Sequence, residues 1–234
     1  MGKLFIVPTP IGNLEDITLR ALSTLKSVDF IACEDTRHSS KLLNHFGINK
    51  PLVSYYSYNQ RGRTPQIIRD ILSGKDVALV SDSGTPGISD PGYLLVSEAI
   101  ANAIEVVSLP GPNAAIAALV ASGLPAESFV FLGFLKRKPG KLKKELLKAA
   151  EFGSTVIFYE SVHRIKKTLL LCSEIFSQNS QVVLARELTK KFEEYIRGSI
   201  SEVNEKLNEK EVLGEFVVMI LPVMPDLEND NVKN

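Results

Sequence analysis

The chain has 234 residues and a mass of 25.7 kDa, enough for one large or two small domains with a buried core. Apolar residues make up 44% and charged residues 23%, which excludes a disordered chain. Lys plus Arg and Asp plus Glu each number 27, so no global positive field draws the chain to a polyanion, and any such partner must be met by a local patch.

Leu4–Val7 reads as a strand cut off by Pro8 and Pro10. Leu19, Leu22 and Leu25 recur at helical spacing behind a cap at Asp16 or Thr18. Phe30–Cys33 and Leu52–Ser57 are further apolar runs, and Ile67, Ile68, Ile71 and Leu72 mark a helix ending at Gly74. Val77–Val80 is apolar at every position, which suits a strand covered on both faces. Tyr93–Ala103 reads as helix, Glu105–Ser108 as strand and Asn113–Ala121 as helix. The alternation predicts a mostly parallel sheet with helices on both sides. After Gly123-Leu124-Pro125 it restarts: strand Phe129–Leu132, helix Lys141–Ala150, strand Thr155–Tyr159, helix Arg164–Phe176 and strand Val182–Ala185. Strand Glu194–Arg197, helix Ser201–Asn208 and strand Val217–Leu221 close the pattern. The expected fold class is α/β, with two α/β domains over 1–121 and 128–222, a linker over 122–127 and a fraying acidic tail over 223–234.

The two cysteines, Cys33 and Cys172, lie far apart, which argues against a disulfide framework and suits a reducing compartment. The longest wholly apolar run, Ala114–Ala121, is far short of the roughly 20 residues that cross a bilayer. The N-terminal apolar stretch is too short for a signal peptide. A cytoplasmic protein without a membrane partner is expected.

Six of the 12 prolines fall in three loops, each just after a predicted strand: Val7–Asn13, Ser81–Gly92 and Leu109–Ala114. Ligands of open α/β sheets bind outside the carboxyl ends of the strands. Proline stiffens such loops and glycine lets a ligand approach the backbone, so three together point to a preorganised small-molecule site rather than to tight turns alone. No G-x-G-x-x-G follows a strand, no P-loop is complete and no serine sits in a G-x-S-x-G elbow. His38 and His45 have no third ligand nearby, so no metal is expected. Charged segments also end strands: Glu34–His38, Tyr159–Arg164 and Arg186–Lys191. Basic residues cluster at Arg61 and Arg63, beside Tyr55, Tyr56 and Tyr58, and in Lys136–Lys144, which holds six Lys or Arg around a Pro139-Gly140 break. The latter reads as a flexible basic loop suited to clamping phosphates, and tyrosines beside arginines suit stacking on unpaired bases. Arg164, with Lys166 and Lys167, starts another basic helix.

Together, Val7–Asn13, Ala32–Arg37, Ser81–Gly92, Leu109–Ala114, Tyr159–Arg164 and Arg186–Lys190 resemble the tetrapyrrole methylase superfamily, the class III S-adenosylmethionine methyltransferases. The long Ser81–Gly92 loop and Arg186-Glu187-Leu188-Thr189-Lys190 resemble its branch of 16S ribosomal RNA (cytidine-2'-O)-methyltransferases, which act on cytidine 1402 of that RNA. The resemblance implies two domains with the cofactor S-adenosylmethionine in the cleft between them, a homodimer, and 16S rRNA of the small ribosomal subunit as partner. Carried over by position, Pro10, Ile11, Gly84, Thr85, Ile88, Asn113 and Ala114 contact the cofactor from the first domain, and Phe158, Leu188 and Phe216 from the second. The family's Gly-Asp-Pro element falls on Gly84-Thr85-Pro86, so the Thr85 hydroxyl and loop backbone stand where an acid is usual.

A sulfonium methyl is already activated, so the enzyme has to align a ribose hydroxyl, exclude water and remove one proton. Asp35, Glu187 and Asp82, each at a predicted strand end, are candidate bases, and Lys190 or Arg37 is suited to hold a phosphate. The expected RNA-binding set is Arg37, Arg61, Arg63, Lys136, Arg137, Lys138, Lys141 and Arg164. Two other readings are a tetrapyrrole or small-molecule C-methyltransferase on the same scaffold, and a non-catalytic protein that binds RNA or a ligand.

Overall fold

The computed structural model describes residues 1–208 and 213–225. The chain divides into two compact units, Met1–Asn113 and Ala114–Asn234. Of the acidic tail expected over 223–234, residues 226–234 lie outside the described residues.

The first unit runs β1 (Leu4–Ile6), α1 (Leu19–Ser27), β2 (Phe30–Cys33), α2 (Thr36–His45), β3 (Leu52–Ser54), α3 (Gln60–Leu72), β4 (Val77–Leu79), α4 (Tyr93–Ala101) and β5 (Val106–Ser108). Its strands lie in the order β3-β2-β4-β1-β5, all parallel, as the apolar runs predict. β2 and β4 are buried at every residue because helices cover both faces. On one face Leu4, Ile6, Phe30, Ala32, Val77 and Leu79 pack with Ile67, Ile71 and Leu95 of α3 and α4. On the other, Val7, Ile31, Cys33, Ala78 and Val80 pack with Ala21, Leu25 and Leu43 of α1 and α2. Of the two proposed caps of α1 the structure uses Thr18, whose hydroxyl accepts from Ala21 N at 3.0 Å; Asp16 closes a separate 3-10 turn, Leu14–Asp16.

The second unit runs α5 (Ala114–Val120), β6 (Phe129–Phe134), α6 (Pro139–Ala150), β7 (Thr155–Ser161), α7 (Ile165–Ile175), β8 (Gln181–Arg186), β9 (Glu194–Ser199), α8 (Ile200–Asn208) and β10 (Glu215–Leu221). Its order is β6-β7-β10-β8-β9. Only β6 and β7 are parallel; β10 enters between β7 and β8 antiparallel to both, and β9 returns antiparallel to β8. Parallel pairing needs a crossover of a dozen or more residues, which the short β8–β9 connection does not supply. Leu146, Phe158, Leu169, Phe176, Leu184, Val218 and their neighbours form the core.

The sequence reading ends the first domain at residue 121. In the structure α5 groups with the second unit, where it packs on β7 and β10. Arg197 of β9 fastens its end, donating to the carbonyls of Ala121 at 2.7 Å and Ser122 at 3.2 Å. Cys33 and Cys172, one in each unit, are both buried and free. Among the described residues no helix is long and apolar enough to cross a membrane.

Candidate functional site

In the first unit, adjacency of β2, β4, β1 and β5 sets the segments after these strands side by side. The loops after β1 and β4 are laced by a two-residue antiparallel bridge: Thr9 N donates to Gly84 O at 2.9 Å and Gly84 N to Thr9 O at 3.1 Å. The buried Thr9 hydroxyl adds a bond to Ser81 O at 3.1 Å. Gly84 has φ +81, a conformation L side chains rarely adopt. A Cβ there would also stand 3.2 Å from Ile11 Cγ2 and 3.5 Å from Pro112 O. Thr85 ties the third loop, its hydroxyl donating to Pro112 O at 2.8 Å. Gly84, Thr85, Ile11 and the segment just before Asn113 and Ala114 therefore meet at one strand-end cradle. Pro10 is half-buried beside it, and Ile88 is 40% exposed on the same long loop.

The Thr85 hydroxyl commits its proton to the Pro112 carbonyl, which fixes the cradle and leaves the hydroxyl lone pairs to accept from a donor group. Acidity is supplied by other residues. Glu34 follows β2, while Asp82 and Asp90 belong to the loop after β4. Burial, then the fields of Asp90 and Asp82, push the Glu34 carboxyl up. Burial, with the field of Asp82, pushes Asp90 up to about 6, against a hydrogen bond from Ser81. Three carboxyls in one partly buried neighbourhood favour a cationic ligand.

Asp35 is differently employed. It caps α2 by accepting from Arg37 N at 2.8 Å, and its two oxygens take the Arg37 guanidinium at 3.2 and 2.8 Å. These bonds hold it well below the usual carboxylate range. A carboxylate so stabilised is a weak proton acceptor. Asp82 accepts from Asp35 N at 3.1 Å, which joins the two segments.

In the second unit, Arg186–Lys190 forms a tight loop after β8. Glu187 and Thr189 are left-handed, with φ +50 and +62, which costs about 1 kcal/mol each. Glu187 accepts from Lys190 Nζ at 3.0 Å and Glu215 N at 3.1 Å. Burial alone would raise its carboxyl, but these bonds bring it below its ordinary value. Lys190 is shared with Glu215 at 3.0 Å, so base and phosphate-holder of the sequence reading are each other's partners. Arg186 Nε and Thr189 Oγ1 are buried without a partner among the described residues. Leu188, 8% exposed, sits between the two left-handed residues. The side chains of Phe158 and Phe216 are in the hydrophobic core of the second unit, at 0% and 2% exposure.

The basic run needs a correction. Pro139 is the first residue of α6, where its missing N–H and fixed φ suit a helix start, so the expected flexible loop is shorter and Lys141 lies on a helix. Lys136, Arg137, Lys138 and Lys141 are exposed, and none is in an ion pair among the described residues. Arg164 pairs with Glu160 at 3.4 Å and donates to the carbonyls of Leu135 and Lys136 at 3.3 and 3.2 Å. Arg61 and Arg63 are exposed on α3, Arg63 donating to Gln66 at 3.0 Å. Tyr56 and Tyr58 are exposed in the turn before α3, whereas Tyr55 is buried with its hydroxyl on Thr64.

A family profile described as Tetrapyrrole (Corrin/Porphyrin) Methylases matches residues 3–204. The chain is 50% identical over 220 residues to ribosomal RNA small subunit methyltransferase I of Bacillus subtilis (strain 168), covering 94% of this chain and 75% of that one. It is 51% identical over 219 residues to the protein of the same name from Mycoplasmopsis pulmonis (strain UAB CTIP), covering 94% and 97%. The chain belongs to the tetrapyrrole methylase family, in its ribosomal RNA small subunit methyltransferase I branch. Solved structures agree on the fold. The methyltransferase CobJ aligns with a TM-score of 0.70 at 20% identity over 94% of each chain, and diphthine synthase with 0.69 at 13% over 95% and 90%. The strand-end motifs from which the resemblance is drawn thus lead to the right family.

In this tetrapyrrole methylase, Glu34 and Asp90 are partly buried acids beside the cradle that sequence reasoning passes over. Asp90 lies inside the loop it singles out, as the second of two Asp residues in Ser81–Gly92. Its burial, which sets its proton affinity, is a property of the folded loop and has no signature in the run of residues.

Proposed function

We propose that the chain transfers a methyl group from S-adenosylmethionine to the 2'-oxygen of a cytidine ribose in 16S rRNA of the small ribosomal subunit, cytidine 1402 by its resemblance. The observation that carries the reading is the cradle at Gly84, where three stiff loops are bonded together beside a set of carboxyls. Its chemistry fits the donor. Pro10, Ile11 and Ile88 offer apolar surface, the backbone at Gly84 is approachable, and Glu34, Asp82 and Asp90 oppose a positive charge. When bound, the donor supplies a methyl that needs no further activation.

The residues then have two tasks. The laced loops hold the donor's surroundings rigid, so that alignment costs little at the moment of reaction. A base takes the proton of the ribose hydroxyl, a contribution of about 10²–10⁴. Within this reading Asp90 is the base favoured over Asp35 and Glu187, because its carboxyl is poised near 6 rather than held low by a cation. The exposed basic residues from Lys136 to Lys141 support RNA over an uncharged small substrate. The same reading takes the chain as a cytoplasmic homodimer. Exposed Tyr93 and Ile100, seven residues apart on α4, offer apolar surface for a second copy.

The test is incubation of the chain and radiolabelled donor with small ribosomal subunits and with naked 16S rRNA. Label that maps to a cytidine ribose is the expected result. Label on a base, or none on either substrate, overturns the proposal.

A further inference from the structure

Strand β6 ends in an irregularity. Phe131 pairs with Ile157 and Phe134 with Tyr159, so three steps on β6 match two on β7. One residue is extra, and Gly133 at φ +63 accommodates it. In a regular strand Phe131 and Phe134, an odd number of residues apart, would point to opposite faces. The bulge brings both to the ring of Tyr159, with centroids at 5.1 and 5.3 Å and interplanar angles of 69° and 61°. Phe131 and Tyr159 are half-buried, whereas Phe134 remains 63% exposed. Exposed cations follow at once: Lys136, Arg137, Lys138 and Lys141. The carbonyl of Lys136 is held by Arg164, so the cations leave the strand from a fixed point.

A single exposed phenylalanine is unremarkable on a protein surface. A phenylalanine turned to one side by a bulge, braced edge-on by a second aromatic ring and followed by unpaired cations is different. It matches what single-stranded nucleic acid requires: a flat apolar face for a base and positive charge for the flanking phosphates. We infer that Phe134 is a stacking platform for one unpaired base of an RNA strand whose phosphates lie along Lys136–Lys141. This rests on RNA being the substrate and adds how the strand is gripped.

The test uses the full chain without methyl donor and a pyrimidine RNA about a dozen nucleotides long, alongside the same backbone carrying abasic riboses, with affinities read by fluorescence anisotropy. Phe134→Leu keeps the residue apolar and removes the π face. It should weaken binding of the base-bearing RNA by about 5- to 100-fold and leave the abasic RNA within about twofold. Phe134→Trp should restore binding, and Lys138→Glu should weaken both RNAs alike. The platform is overturned if Phe134→Leu binds both RNAs as the wild type does, weakens both equally, or alters only the self-association of the chain. Absence of RNA binding by the wild type overturns it as well. Methyl transfer to small subunits, assayed in parallel, separates the two ideas. Base-dependent binding without transfer removes the reaction and keeps the platform; transfer with an inert Phe134→Leu does the reverse.

Discussion

Asp90 shows how a single partly buried carboxyl ties stability to pH. Its ordinary value is 3.8 and its folded value about 6, so the native state binds a proton more tightly than the unfolded chain. The fold is therefore best served at low pH by this group, loses that support as pH rises from about 4 to about 6, and carries the full penalty above. Asp90→Asn should unfold at a higher temperature than the wild type at pH 7.5, with the gap closing near pH 4, and calorimetry at the two pH values checks it. The same variant should retain donor binding while turnover falls by about 10²-fold or more. Gly84→Ala belongs to the same scale. A methyl at φ +81, 3.2 Å from Ile11, should cost about 1–3 kcal/mol and abolish donor binding by calorimetry. That the loops around Gly84 come together at one sheet edge was legible from their prolines, glycines and strand-end positions. Which side chains in them are spent on structure was not. Thr85 and Asp35 read as ligand-facing polar groups, and nothing in the sequence shows that the one also donates to the Pro112 carbonyl and the other takes the Arg37 guanidinium.

Helices and strands were legible wherever apolar runs were bounded by proline or glycine. Val77–Val80 was expected and Val77–Leu79 found; Glu194–Arg197 was expected and Glu194–Ser199 found. Pairing was less legible, because strand direction in the second unit depends on β10 returning between β7 and β8, a choice made by tertiary packing. Faces were hidden for a related reason. β7 and β10 are largely apolar on both sides, so nothing in their patterning shows that the side chains of Phe158 and Phe216 enter the core. Pro139 was read as a break, although proline at the first position starts a helix as readily as it ends one. Arg197 fastens the turn that follows α5, its guanidinium donating to the carbonyls of Ala121 and Ser122 just past the helix. Arg197→Met should lower stability by about 1–2 kcal/mol in urea unfolding, while Arg197→Lys recovers only part, since a lysine cannot reach both carbonyls with a fixed fork.

Taken whole, the molecule has no net charge, so attraction to RNA must come from where its cations are left unpaired. Lys138→Glu and Lys141→Glu should each flatten the dependence of log affinity on log salt by about one phosphate contact, measurable by titrating RNA between low and moderate salt. Reversing Lys75, which is bonded to Asp70 at 2.7 Å, should leave that slope unchanged.

Each half also has a core of its own, and each core encloses one thiol. Burial raises the Cys33 thiol and pushes Cys172 up to about 12, so neither is a thiolate in the native state. An aromatic disulfide reagent should therefore find both silent until the surrounding half opens. Their labelling rates act as two separate clocks, one per half. Saturating methyl donor should slow the Cys33 clock, if the cradle at Gly84 is where it binds, and mass spectrometry of the labelled peptides reads both at once.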